Sequence, residues 1–182
     1  MESRSGESMP EEKNQPAGGI LWWVVPRVLA GMPMPFIRIE RRMSHGAALG
    51  DYDDDLPAIH TAGIGAVVCL LNIPSDETVY RAAGFQFVCL PILDGESPTF
   101  QQANQFIRFV QHNRAQNRAT AVHCEAGLGR TGTMIATYLI SEGDDAETAI
   151  RRVRTVEKVA IETPRQIRFL EDYAKRHAFG LD

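Results

Sequence analysis

Between Ala66 and Val122, short apolar runs alternate with polar stretches of helical period, and Gly or Pro bounds the runs as far as Ile92. Ala66 to Leu71, Phe85 to Ile92 and Ala119 to Val122 largely lack the polar alternate positions of a half-exposed strand and are short for helices. Runs of this kind are strands covered on both faces, the condition of a parallel sheet. Parallel neighbours need crossover connections, and the intervening stretches supply them as helices from Ser75 to Ala83 and from Thr99 to about Asn117. In the second, Thr99 and Gln102 form a capping box, and Phe100, Ala103, Ile107 and Val110 share one face. Upstream, Ile20 to Val25 and Arg27 to Ala30 are expected as short strands around Pro26. Downstream of Val122 only helical patterns follow: Thr131 to Ser141, Asp144 to about Val156 with Asp144 and Glu147 as capping box, and Pro164 to about His177. The expected fold class is α/β, a central, mostly parallel sheet flanked by helices, whose last strand runs into His123 and Cys124.

Composition narrows the function classes. The 182 residues fit one domain, and 44% hydrophobic with 23% charged residues is a soluble globular balance. No run approaches the ~20 apolar residues of a membrane-spanning helix, so no membrane partner is expected. Residues 1–19 are polar, contain Pro10 and Pro16 and lack the apolar stretch of a secretory signal; they are expected to be a disordered tail before a domain at 20–182. A net charge of −4 provides no basic field for nucleic acid. Cys69, Cys89 and Cys124 form no CxxC pair, and a sparse, odd set points to free thiols in a reducing cytoplasm. The acidic run at Asp51, Asp53, Asp54 and Asp55 has Leu56 and Ala62 where a calcium loop needs Gly and Glu, so it is expected to start a helix. The charged stretch from Arg38 to Asp55 has no clear period.

The segment from His123 to Gly132, between the last strand and a helix, reads His-Cys-Glu-Ala-Gly-Leu-Gly-Arg-Thr-Gly. From Gly127 it matches the GxGxxG dinucleotide fingerprint, but the chain ahead, Glu147 to Arg152, is helical and offers no following strand with its acidic residue. A Walker loop fails as well, since Thr133 stands where Lys should follow the second Gly. Read from Cys124, the segment is Cys-x5-Arg, and each fixed position has a task on one ligand, a phosphate dianion. The backbone N–H groups of Glu125, Ala126, Gly127, Leu128, Gly129 and Arg130 can converge on its oxygens, with Gly127 and Gly129 allowing the tight turn and close approach. The helix that follows adds its positive end. Loop, helix end and Arg130 together favour the Cys124 thiolate, the form that attacks, and Arg130 can grip two phosphate oxygens into the transition state. Thr131 can donate its hydroxyl to the Cys124 sulfur. His123 has no partner at zinc spacing and is expected as a core residue bonded near the loop; no metal and no cofactor are expected.

This segment resembles the signature loop of the cysteine-dependent protein tyrosine phosphatases, HCxxGxxR[ST]G. Trp23 to Met32, Gly132 to Leu139, and Ile161, Glu162 and Thr163 with Gln166 are similar to small atypical dual-specificity phosphatases, so the likeness runs from about Leu21 to Lys175. It implies the phosphatase-like α/β fold and a general acid on a loop about thirty residues before the cysteine. Asp94 fits that place; it follows Phe85 to Ile92 and would project at the sheet edge where Cys124 emerges. Asp94-Gly95 as a mere turn, with Glu96 as a second carboxylate, is the competing reading. The resemblance also implies that Glu162 and Gln166 position the hydrolytic water, although Thr163, Pro164 and Gln166 equally form a helix N-terminus with Gln166 as its cap. Arg151, Arg152, Arg154 and Lys158 are expected as a solvated helix face. Between Met32 and Gly63 the chain is about ten residues longer than the family pattern.

The expected activity is metal-independent hydrolysis of phosphotyrosine, with phosphoserine and phosphothreonine as further substrates, by a monomer whose ligands include phosphorylated proteins and inorganic phosphate or vanadate. Three rivals stand beside it: a phosphoinositide phosphatase, a phosphate-binding scaffold without turnover, and a sulfurtransferase. The first would place basic residues where Glu125, Ala126 and Leu128 stand.

Overall fold

Among the described residues, five strands, β1 (Trp22–Val25), β2 (Leu29–Met32), β3 (Ile64–Cys69), β4 (Gln86–Cys89) and β5 (Ala119–His123), form one sheet in the order β1-β2-β5-β3-β4. The structure is a computed structural model and describes residues 20–35, 52–72 and 74–180. The expected tail at 1–19 and most of the unpatterned charged stretch lie outside these residues. β1 and β2 pair antiparallel, whereas β2 with β5, β5 with β3 and β3 with β4 pair parallel. The expected α/β class is the observed one.

Among the described residues, six helices accompany the sheet: α1 (Tyr52–Thr61), α2 (Pro74–Ala82), α3 (Phe100–Ala115), α4 (Gly129–Ser141), α5 (Ala146–Val156) and α6 (Pro164–Ala178). Strand side chains alternate between two cores, as the two-residue period requires. Leu29, Val68, Leu70 and Val122 meet Phe106, Val110, Met134, Ile135, Val153 and Leu170 on the side of α3 to α6. Ala30, Met32, Val67, Cys69 and Ala121 meet Leu56, Ile59, Tyr80 and Phe85 on the side of α1 and α2. α4 is buried from Gly129 to Ile140, and its hydroxyls stay satisfied because Thr133 and Thr137 donate back to the carbonyls of Gly129 and Thr133 at 2.7 and 2.8 Å. No helix among the described residues is long and apolar enough to cross a membrane.

Several boundaries depart from the sequence expectation for identifiable reasons. The second strand is Leu29–Met32 and not Arg27 to Ala30, because residues 25–28 form a turn closed by Val28 N–H to the Val25 carbonyl at 3.0 Å, with Arg27 at φ 60°. β4 ends at Cys89, since Pro91 has no N–H for the ladder. Even so, Leu90 and Ile92 still donate to the carbonyls of Cys69 and Leu70 at 2.9 and 3.0 Å, so the chain stays pinned to β3 as far as Ile92. The cap of α5 is Asp145, accepting from Thr148 N–H at 2.7 Å, and not Asp144. The Asp144 N–H closes the end of α4 on the Leu139 carbonyl and its carboxylate pairs with Arg152 at 2.6 Å, which leaves the next residue to cap. The acidic run does start a helix, α1.

Burial gives a direct contrast in stability. Leu70 is fully buried, whereas Leu93 is 79% exposed. Leu70→Ala is expected to destabilise the fold by about 3 kcal/mol, and Leu93→Ala by less than about 0.5 kcal/mol, as measured by urea denaturation.

Candidate active site

The central strand β5 delivers Cys124 at its carboxyl end, between β2 and β3. The loop that follows is seated against the exit of β2, where Met34 N–H donates to the Glu125 carbonyl at 3.0 Å. Gly127 has φ 75°, and a Cβ there would collide with the Met32 carbonyl and the Pro33 nitrogen, so both conformation and space demand glycine. Gly129 matters for approach instead: a Cβ at that position would run into the Glu162 carboxylate and the Gln166 amide. Gly132 N–H then closes the first turn of α4 on the Leu128 carbonyl at 2.8 Å.

Cys124 is 2% exposed, and the Thr131 hydroxyl donates to its Sγ at 3.3 Å. Arg130, 6% exposed, turns its guanidinium across to the segment after β4. Its Nη1 donates to the Ile92 carbonyl at 3.1 Å and its Nη2 pairs with Asp94 Oδ1 at 2.9 Å. Cys124, Arg130, Thr131 and Asp94 therefore occupy one place, at the carboxyl edge of the parallel strands, where such sheets bind ligands. The Asp94 side chain is 88% exposed, so no packing holds it beyond this pairing. The Glu96 carboxylate is paired with Arg165.

His123 is fully buried beneath the loop. Its Nδ1 lies 3.1 Å from the Cys124 carbonyl and its Nε2 3.0 Å from the Tyr80 hydroxyl. A carbonyl only accepts, so Nδ1 carries the proton and Nε2 accepts from Tyr80. Tyr80 is itself stacked on Phe87, with ring centroids 5.2 Å apart. Burial pushes the His123 pKa down to about 4, against a smaller upward pull from the Cys124 carbonyl.

Gln166 is buried, and its side-chain oxygen accepts from the N–H groups of Glu162 and Thr163 at 2.8 and 3.1 Å. It thus completes the capping box of α6, while its amide donates to the Glu96 carbonyl at 3.4 Å. Glu162 follows Ile161, which holds φ 62°, a strained value for a β-branched residue. Arg154 stabilises this turn by donating to the carbonyls of Ala160 and Ile161 at 3.0 and 2.7 Å. The expectation that Arg154 belongs to a solvated helix face is therefore corrected; only Arg151 and Arg152 make surface pairs of that kind, with Glu147 and Asp144. Sequence reasoning also missed Tyr80. Its position in an amphipathic helix gave no hint of His123, 43 residues away.

A buried thiol, a guanidinium reaching across its loop and a carboxylate opposite thus stand together at one sheet edge. The chain belongs to the tyrosine and dual-specificity phosphatase family: the family described as "Polymorphic toxin system, DSP-PTPase phosphatase" matches residues 43–144, which include the loop and Asp94. It is 31% identical over 129 residues to the human protein tyrosine phosphatase type IVA 3, covering 70% of this chain and 72% of that one. It is 34% identical over 120 residues to tyrosine-protein phosphatase cdc-14 of Caenorhabditis elegans, covering 66% of this chain and 16% of that protein, so it spans only a small part of such longer relatives. The solved structure of Tk-PTP superposes with a TM-score of 0.70 at 25% identity, covering 88% of this chain and 97% of that one.

His123 gives the site a pH signature. The unfolded chain takes up a proton at this ring below its ordinary pKa of 6.5, whereas the folded protein does so only near pH 4. The contribution of His123 is complete above pH 6.5 and is lost as pH falls to about 4, by about 3 kcal/mol in all. Urea stabilities of the wild type minus those of His123→Asn are expected to fall across that window; a flat difference would show that the ring is not held neutral.

Proposed function

We propose that the protein is a metal-independent phosphomonoesterase acting on phosphoproteins through a cysteinyl-phosphate intermediate. The observation that carries this reading is the reach of Arg130 from the Cys124 loop to both the Ile92 carbonyl and Asp94. In the first step Cys124 Sγ attacks phosphorus and the bond to the leaving oxygen breaks, while Asp94 gives that oxygen its proton. Arg130 and the backbone N–H groups of residues 125–130 hold the three remaining oxygens as charge redistributes. In the second step water attacks the phosphocysteine, Asp94 takes the proton, and Sγ leaves with its electron pair, stabilised by the Thr131 hydroxyl. Glu162 and Gln166 border the loop at Gly129 and are assigned to placing that water.

Phosphotyrosine is the primary substrate in this reading, with phosphoserine and phosphothreonine accepted. Protein substrates are favoured over inositol lipids because Glu125, Ala126 and Leu128 offer no cation to further phosphates. Residues 20–182 are assigned to one monomeric catalytic domain. A sparse set of three cysteines with no CxxC pair accords with a reducing, cytoplasmic setting.

Phosphate release from matched phosphotyrosine, phosphothreonine and phosphoserine peptides, and from inositol lipids, tests the proposal with EDTA present. Turnover is expected to survive EDTA, to be highest on phosphotyrosine and to fall by at least about 10⁴-fold in Cys124→Ser, while vanadate still binds that variant. Retained turnover in Cys124→Ser would remove the mechanism, and turnover confined to lipids would overturn the substrate class.

A further inference from the structure

The turn that carries Asp94 is fastened to the first turn of α6. Glu96 N–H closes this turn on the Leu93 carbonyl at 3.0 Å, with Gly95 at φ 73°, which places Asp94 at its tip. Three links then run from α6. The Thr163 hydroxyl donates to the Gly95 carbonyl at 3.0 Å, the Gln166 amide to the Glu96 carbonyl at 3.4 Å, and Arg165 Nη1 to both carboxylate oxygens of Glu96 at 2.5 and 2.6 Å. Thr163 and Gln166 are also the two members of the α6 capping box. The residues that start the helix therefore hold the acid-bearing turn.

An exposed ion pair adds little to global stability, and the Arg165 and Glu96 side chains are 63% and 40% exposed. What this pair fixes is a place. Because the Asp94 side chain is 88% exposed, its position is set by the backbone of its turn and by Arg130, the residue that must also hold phosphate. An anchor on the far side of the turn keeps Asp94 at the leaving oxygen when the guanidinium is engaged by substrate.

We propose that Glu96 and Arg165 are positioning residues for the general acid, latching the Asp94 turn to the start of α6. The latch rests on the reading of Asp94 as the acid. Its consequence in the first step is selective: weakening it impairs protonation of the leaving group and spares phosphate binding. Substrates whose leaving group needs a proton are slowed, and those whose phenol leaves unaided are not.

The test is kcat and KM on aryl phosphates graded from dinitrophenyl phosphate to phenyl phosphate, for wild type, Glu96→Ala, Arg165→Met, the charge-exchanged double variant Glu96→Arg/Arg165→Glu, and Asp94→Asn. The Glu96 and Arg165 single variants are each expected to lower kcat/KM, which reports the steps up to release of the phenol, about tenfold on phenyl phosphate and less than about twofold on dinitrophenyl phosphate. The charge exchange is expected to recover most of the loss. Equal losses of kcat/KM on every substrate would indicate a merely structural role and overturn the latch, as would kcat/KM values like those of the wild type. If Asp94→Asn shows the steep dependence on the leaving group while the Glu96 and Arg165 variants do not, the latch alone falls. If Asp94→Asn is itself independent of the leaving group, the acid reading falls and the latch with it. All variants are at exposed side chains, and circular dichroism is expected to show them folded.

Discussion

A guanidinium that is 6% exposed is an unusual thing for a protein of this size to bury, and the arrangement around it governs the molecule. Desolvating Arg130 is unfavourable unless acceptors surround it. Its acceptors are the carbonyl of Ile92 and one oxygen of the exposed Asp94. Both belong to the segment leaving β4, while Arg130 itself belongs to the helix leaving β5. One cation thus joins the ends of two strands that do not pair directly, since β3 lies between them. An anion delivered to this place meets a charge already oriented, so little reorganisation is needed when it binds.

That arrangement depends on the way the sheet is wired. β5 is central and flanked by parallel partners, so its carboxyl end opens into a crevice between neighbouring connections. α4 leaves this crevice as a wholly buried helix, which fixes Arg130 and Thr131 in its first turn relative to Cys124. Beneath the loop, the neutral His123 ring is held from both sides by Tyr80 and the Cys124 carbonyl. The loop is therefore rigid from below and seated laterally on the exit of β2, where Gly127 allows no side chain. The neighbouring turn is strained at Ile161, where two bonds from Arg154 secure it.

What could be read from the sequence was what short-range chemistry determines. The buried strands announced themselves by apolar runs, the α3 and α6 caps by Thr99 with Gln102 and Thr163 with Gln166, and the loop by its fixed Cys-to-Arg spacing. Asp94 was placed from the family pattern and the strand before it, and the structure brings it to Arg130. Long-range partners were not legible. The bond of Tyr80 to His123 spans 43 residues, and that of Arg165 to Glu96 spans 69. In both helices these residues occupy positions that solvent or core would satisfy equally well. Arg154 shows the limit most plainly, since a basic residue among other basic residues gives no sign that it turns inward to cap a strained loop.

The capping box of α6 also constrains the chemistry of the second step. The side-chain oxygen of Gln166 already accepts two backbone N–H groups, and one amide hydrogen is directed at Glu96. An amide in that state has a remaining N–H to offer a water, but no basic atom with which to take its proton. In the proposed reaction, then, Gln166 can orient the nucleophilic water and cannot activate it. Activation falls to a carboxylate, and Asp94 is the one already on Arg130 and already used in the first step. Having given its proton to the leaving group, it stands as a carboxylate at the moment a base is required. The division of labour follows from hydrogen-bond valence: a residue committed to starting a helix can hold water in place, and a residue left exposed at the tip of a turn can exchange a proton with it.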